Sequence, residues 1–217
     1  MYNLIRWGIA FVIVLLVIIL MKRKKIKLNP TKINLILLLI LCGSSALLCL
    51  LPVENLFISF KTPERAYQYM HLKSIKKDDF VLNGKDSSMV ITSEKTDYFP
   101  KDKNGWKLDP FINTKRVYHK VKDKYSINIV RYGNTKDYYV TVTSYNDKKF
   151  NLTDSKKSKF YSRDTNVKTV DMKVYSYVGY VHNIDENYYL LIDDEEININ
   201  IKENWVHISS FLLTQIN

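Results

Sequence analysis

Two apolar runs near the start of the chain, with a short basic segment between them, constrain this sequence more than any other feature. Trp7–Met21 reads WGIAFVIVLLVIILM and holds no charge, and Leu4 and Ile5 extend it past Arg6. Ile33–Val53 reads INLILLLILCGSSALLCLLPV, again uncharged. Between them MKRKKIKLNPTK, residues 21–32, carries six positive charges and no negative one. A bilayer core about 30 Å thick takes about 20 helical residues. Both runs reach that length if Arg6 snorkels to the interface. A soluble domain of this size has no room to bury two helices that are apolar all round. The expectation is two N-terminal transmembrane α-helices, 4–21 and 33–53, forming an antiparallel hairpin.

A cleaved signal peptide carries its charge before the apolar stretch and small residues at the cut. Here the stronger charge follows the first run and no A-x-A follows it; a lipoprotein signal would want a small residue just before its Cys, whereas Leu41 precedes Cys42 and Leu48 precedes Cys49. Lys and Arg in short loops favour the cytoplasmic side. Lys22, Arg23, Lys24, Lys25, Lys27 and Lys32 therefore assign 22–32 as a basic cytoplasmic loop. The N-terminus and residues 54–217 are then extracytoplasmic. Levelling residue 21 with residue 33 sets Gly43, Ser44, Ser45 and Ala46 opposite Gly8 and Ala10. Small residues let helix backbones approach closely in lipid, so these six are the expected packing face.

The charge argues against nucleic acid. Of 33 Lys and Arg, seven fall in the first 52 residues, which hold no Asp or Glu; the remaining 26 face 22 acidic residues. The basic excess thus belongs mostly to the N-terminal segment and not to a basic face of a folded domain. Both cysteines lie in the second apolar run, so the later part has neither disulfide nor thiolate metal site. That absence fits a bacterial surface better than a eukaryotic secreted domain.

After residue 53 the pattern changes. FKTPERAYQYMH offers Thr62 as a cap, Pro63 at the first helical position and Glu64 for the dipole, which predicts a short helix over 62–71. Period-two segments follow. Asn83-Gly84, Asn104-Gly105 and Gly133-Asn134 mark turns between strands rich in Val, Ile and Tyr. Ile197, Ile199 and Ile201 alternate with Asn, as a half-buried strand requires. NWVHISSFLLTQIN, from Asn204, reads as a closing helix or a strand. Tyr125-Ser126 with Asp137-Tyr138-Tyr139 matches Tyr175-Ser176 with Asn187-Tyr188-Tyr189 at an offset of 50 residues, which two copies of a hairpin unit would explain. The polar stretch 145–166 reads as a linker between two subdomains, 59–145 and 167–217. The fold class expected for 54–217 is α+β, mainly antiparallel β. A fragment starting near Ser59 is expected to fold without the helices, since about 165 residues bury nearly 70% of the unfolded surface.

The sequence shows no HExxH, GxSxG, Walker loop or GxGxxG after a strand. His71, His119, His182 and His207 are far apart in sequence. Asp193-Asp194-Glu195-Glu196 has carboxylates for calcium but not the loop spacing, and reads as a solvated turn. No catalytic residue, metal or cofactor is assigned. Trp106, Tyr138, Tyr139, Tyr188 and Tyr189 are the candidate aromatic binding surface, to be weighed against their ordinary use in strands and cores. Two successive strand residues point to opposite faces, so one tyrosine of each pair is expected to be exposed.

FISFKTPERAYQYM, NGKDSSMVI and KNGWKL, following two N-terminal spans, resemble uncharacterised membrane-anchored proteins of low-GC Gram-positive bacteria over residues 57–110. Exterior domains of that group open with F-x-[ST]-P-E-x-A-[FY]; Arg65 stands at the variable position and Tyr67 at the aromatic one. The resemblance implies a membrane anchor and no activity. The expected function is a membrane-anchored extracytoplasmic binding or interaction module, its partners the lipid bilayer and an envelope protein or cell-wall glycan. The alternatives are a cell-envelope hydrolase, or a sensor or immunity-type partner of another membrane protein.

Overall fold

The apolar runs fold as two long helices, α1 (Tyr2–Arg23) and α2 (Pro30–Leu50), which lie against each other. The computed structural model describes residues 2–24, 29–50, 52–109, 113–122, 124–145, 149–167 and 172–201; the expected closing segment from Asn204 lies outside them. Among the described residues one segment, Pro30–Leu48, is long and apolar enough to cross a membrane. Its surface is almost wholly unburied, and Leu35, Leu38, Leu39 and Leu47 are exposed on it. On α1, Trp7, Phe11, Leu16 and Ile19 are likewise exposed.

A single 3-10 turn, Val53–Leu56, leads from α2 into a mainly antiparallel β domain. There α3 (Pro63–His71) starts as its sequence dictates: the Thr62 side chain accepts the Arg65 N–H at 3.4 Å, and Pro63 takes the first helical position. The next strands, β1 (Phe80–Asn83), β2 (Ser87–Ile91), β3 (Thr96–Asp102) and β4 (Gly105–Trp106), form one sheet in chain order. Gly105 is required where it stands. Its φ is +135°, and a Cβ there would lie 2.5 Å from the Phe60 carbonyl oxygen, because Phe60 bridges to Trp106.

The second sheet contains β5 (Thr114–Val121), β6 (Tyr125–Tyr132), β7 (Asp137–Ser144), β9 (Phe160–Val167) and β10 (Met172–His182), in the order β5-β6-β7-β10-β9. The third contains β8 (Leu152–Asp154), β11 (Tyr189–Ile192) and β12 (Glu195–Asn198), in the order β12-β11-β8.

Alternation along the strands stacks these units. Tyr67 and Ala66 of α3 pack on Val90, Phe99 and Trp106 of the first sheet. Its other face, Leu82, Met89 and Tyr98, meets Val130, Tyr132, Tyr139 and Val178 of the second sheet. The opposite face of the second sheet, including Ile127, Ile129, Tyr138, Val140 and Tyr177, meets Leu190, Ile192 and Ile197 of the third, and Tyr188 just before β11. The order is helix, sheet, sheet, sheet, and the central sheet is covered on both faces. Each fully buried Ile or Val in it contributes about 1.5–3 kcal/mol.

Three expectations are corrected here. The stretch 145–166 is not a featureless linker: it supplies β8 and most of β9. Strand β10 pairs with β7 on one side and β9 on the other, so the five-stranded sheet draws strands from both proposed subdomains. The 50-residue repeat is not two hairpins either. β6 and β7 form a hairpin, but β10 and β11 lie in different sheets. What the two Tyr-Ser pairs share is register, since Tyr125 and Tyr175 both stand opposite Ser144 on the flanks of β7.

Candidate functional site

Of the expected helix-packing residues, Ala10 and Ser45 are buried, Ser44 is half-buried and donates its hydroxyl to the Leu41 carbonyl at 3.2 Å, and Ala46 is exposed. Gly8 and Gly43 are exposed, and a Cβ on either would meet nothing within 4 Å. Lys22, Arg23, Lys24 and Lys32 are exposed; Lys25 and Lys27 lie outside the described residues.

The aromatic set does not form a surface. Trp106, Tyr138, Tyr139 and Tyr188 are buried, and only Tyr189 is partly exposed. Tyr138 points into the core against the third sheet, and Tyr139 into the core against the first. They do take opposite faces, but both faces are covered, which a sequence pattern cannot register.

Asp193 and Asp194 are the central residues of the two-residue turn joining β11 to β12, with φ of 45° and 70°. Positive φ at both positions is the signature of a type I′ hairpin. Glu195, opposite Ile192, reaches back to β6: its carboxylate pairs with Lys122, and Tyr125 donates its hydroxyl to Oε2 at 3.2 Å. The hydrogen bond from Lys122 is the chief cause holding Glu195 below its ordinary range, and the same bond raises Lys122.

Sequence reading missed a polar cluster that gathers around Asp137. This carboxylate is fully buried at the start of β7. Its Oδ2 accepts the N–H groups of Asp86 and Ser87, each at 2.7 Å, and the Ser87 hydroxyl at 2.9 Å. Its Oδ1 accepts the Tyr180 hydroxyl at 2.8 Å and faces His182 Nδ1 at 3.2 Å. The Ser87 and Tyr139 hydroxyls also bond at 2.8 Å. Burial pushes Asp137 up, but the bonds from Tyr180, the Asp86 N–H, His182 and Ser87 outweigh it, and its pKa is lowered. Serine, histidine and aspartate meet here, yet the wiring is not that of a hydrolytic triad. Ser87 bonds to the carboxylate and not to the imidazole, whereas in a triad the imidazole stands between the two. The cluster fastens the β1–β2 turn to the central sheet. A second histidine, His71 on α3, lies apart from it, with Nε2 3.2 Å from Asp97 Oδ2 and Nδ1 2.6 Å from Lys95 Nζ.

An aromatic recess of about 430 Å3 lies where the second and third sheets meet, lined by Lys124, Tyr125, Lys149, Phe150, Asp193 and Glu195 among others. Phe150 stacks on Tyr177 with ring centroids 4.4 Å apart, its N–H donates to the Tyr177 hydroxyl at 3.0 Å, and Tyr125 lies 6.3 Å from its ring. Lys149 sits over the Tyr175 ring at 5.5 Å. The recess has an apolar aromatic wall and a rim bearing both charge signs. Such a surface suits a ligand with one apolar face and hydrogen-bonding edges.

Comparison with protein-family models, with curated proteins and with solved structures yields no match.

Proposed function

We propose that the chain is a membrane-anchored extracytoplasmic binding module: α1 and α2 both span the bilayer, the basic loop 22–32 is cytoplasmic, and the β domain presents the Phe150 recess outside. One observation carries the reading. The helices expose apolar side chains around their surfaces while the attached domain gathers most of its apolar residues in layered cores, so the two parts are made for different solvents. Ala10 and Ser45, buried between the helices, support the hairpin, and the basic loop supports its orientation. The resemblance over residues 57–110 to anchored proteins of low-GC Gram-positive bacteria agrees with it. The recess supports a glycan or a peptide segment of an envelope protein as ligand.

External protease on protoplasts of a Gram-positive expression host tests the topology. Digestion of 54–217 in intact protoplasts is the expected result, and protection of that domain until lysis would overturn the orientation. Retention of the domain on isolated cell wall, weakened in Phe150→Ala, tests the recess.

A further inference from the structure

The connection between helices and domain is fastened on both sides. Arg6 of α1 and Glu54 of the 3-10 turn are both buried and form a two-point ion pair, Nη2 to Oε2 at 2.6 Å and Nε to Oε1 at 3.3 Å. This contact joins residues 48 apart in sequence and sets the start of α1 level with the segment that follows α2. On the domain side, the Asn55 side chain brackets the Leu108 backbone, donating to its carbonyl and accepting its N–H, each at 2.8 Å. Lys107 Nζ donates to the Asn55 and Ile58 carbonyls at 2.8 and 3.1 Å. Two large apolar side chains project from this clamped segment: Leu56 is 79% exposed and Phe57 86%. Trp7, next to Arg6 on α1, is 54% exposed at a neighbouring level.

Leaving Leu56 and Phe57 in water has no structural compensation. Their position suggests what covers them. With α1 in the bilayer, the Arg6–Glu54 contact places residues 54–57 at its outer end, the headgroup boundary where Trp and apolar residues beside charged ones are favoured. We propose that Leu56 and Phe57 form an interfacial foot inserted into the outer leaflet, and that the Arg6–Glu54 pair fixes its depth. The β domain is then held at a set tilt on the membrane and does not swing on a linker. This inference rests on the reading of α1 and α2 as spans.

The test uses the full chain, with Cys42 and Cys49 replaced by Ser, in phosphatidylcholine nanodiscs. Single cysteines carry a polarity-sensitive fluorophore: Phe57→Cys at the foot, Leu39→Cys on exposed α2, and Thr153→Cys on the sheet layer farthest from α3. The expected result is blue-shifted emission at residues 39 and 57, with residue 57 quenched by a quencher attached near the lipid headgroup, and water-like emission at 153. Water-like emission at 57 with blue-shifted emission at 39 overturns the foot and leaves the spans standing. Water-like emission at 39 overturns the spans and the foot together. Adding Glu54→Gln, which removes the charge partner of Arg6, is expected to red-shift the probe at 57 while the probe at 39 stays put. No shift at 57 would overturn the depth-setting role of the pair.

Discussion

Tyr180 donates its hydroxyl hydrogen to Asp137 at 2.8 Å while the same oxygen accepts the Lys85 N–H at 2.9 Å, so one phenol ties the β1–β2 turn to the buried carboxylate of the central sheet. A buried carboxylate with this many donors leaves them all unpaired if it is lost. Asp137→Asn, which keeps the size and removes the charge, is expected to lower the stability of the β domain by about 3 kcal/mol. Urea denaturation followed by tryptophan fluorescence measures it, and a change within error would remove the cluster from the set of structural anchors.

The same carboxylate predicts an acid limb. Its pKa in the folded state lies below the ordinary 3.8, so the folded form holds the proton less tightly than the unfolded form. Its stabilisation is complete above about pH 4 and is lost as pH falls through the lower folded value. Below about pH 4 the melting midpoint of the wild type should therefore fall more steeply than that of Asp137→Asn. Parallel acid limbs would contradict this assignment.

Gly84 sits where the turn approaches Asp137. A Cβ there would lie 2.7 Å from the Ser87 carbonyl oxygen and 2.8 Å from Asp137 Oδ2. Gly84→Ala should cost about 2 kcal/mol by forcing those atoms apart. Gly43→Ala is the contrast: its Cβ meets nothing within 4 Å, so the helix gains up to about 1 kcal/mol of intrinsic propensity. Thermal melts of the full chain in one detergent compare the two; equal midpoints would refute the steric account.

What was legible in the sequence was local. Thr62-Pro63 starts α3 because capping acts within one turn, and Asn83-Gly84 and Asn104-Gly105 mark turns because backbone conformation is set residue by residue. The Ile197, Ile199 alternation identified a buried face, both residues lying in or beside β12. Which sheet covers which was not legible. Tyr138 and Tyr139 look like a half-exposed strand until a sheet lies on each side. Asp137, Ser87, Tyr180 and His182 come from three strands whose pairing and stacking no single-strand pattern encodes, and in sequence each looks like an ordinary surface residue. Arg6 shows the same limit: alone it reads as a residue that snorkels to water, and only the fold brings Glu54 to it.

The Phe150 recess predicts a division of labour in binding. Phe150 supplies the aromatic wall, and its loss should weaken retention on isolated cell wall about tenfold, as for a central contact residue. Lys149 is exposed at the rim, so Lys149→Ala should change mainly the salt dependence of retention. Column retention at low and high salt separates the two. Equal retention of wild type and Phe150→Ala would refute the recess as the binding site.

The connector predicts where an independent domain begins. A fragment starting at Ser59 omits the 3-10 turn and with it the paired bonds between Asn55 and Leu108. It also takes from Lys107 the Asn55 and Ile58 carbonyls, leaving it the Asp102 carboxylate at 3.6 Å. Leu108 is buried in the core under α3, so its backbone groups would lose their partners in a part of the domain that water reaches poorly. A fragment starting at Pro52 should therefore be more stable than the Ser59 fragment by about 2 kcal/mol. Asn55→Ala within the longer fragment should reproduce most of that difference, since it deletes the bracket and leaves the chain length unchanged. Chemical denaturation of the three proteins measures the ranking. If the two fragments unfold at the same denaturant concentration, the 3-10 turn is a tether only, and the domain begins at the Thr62 cap.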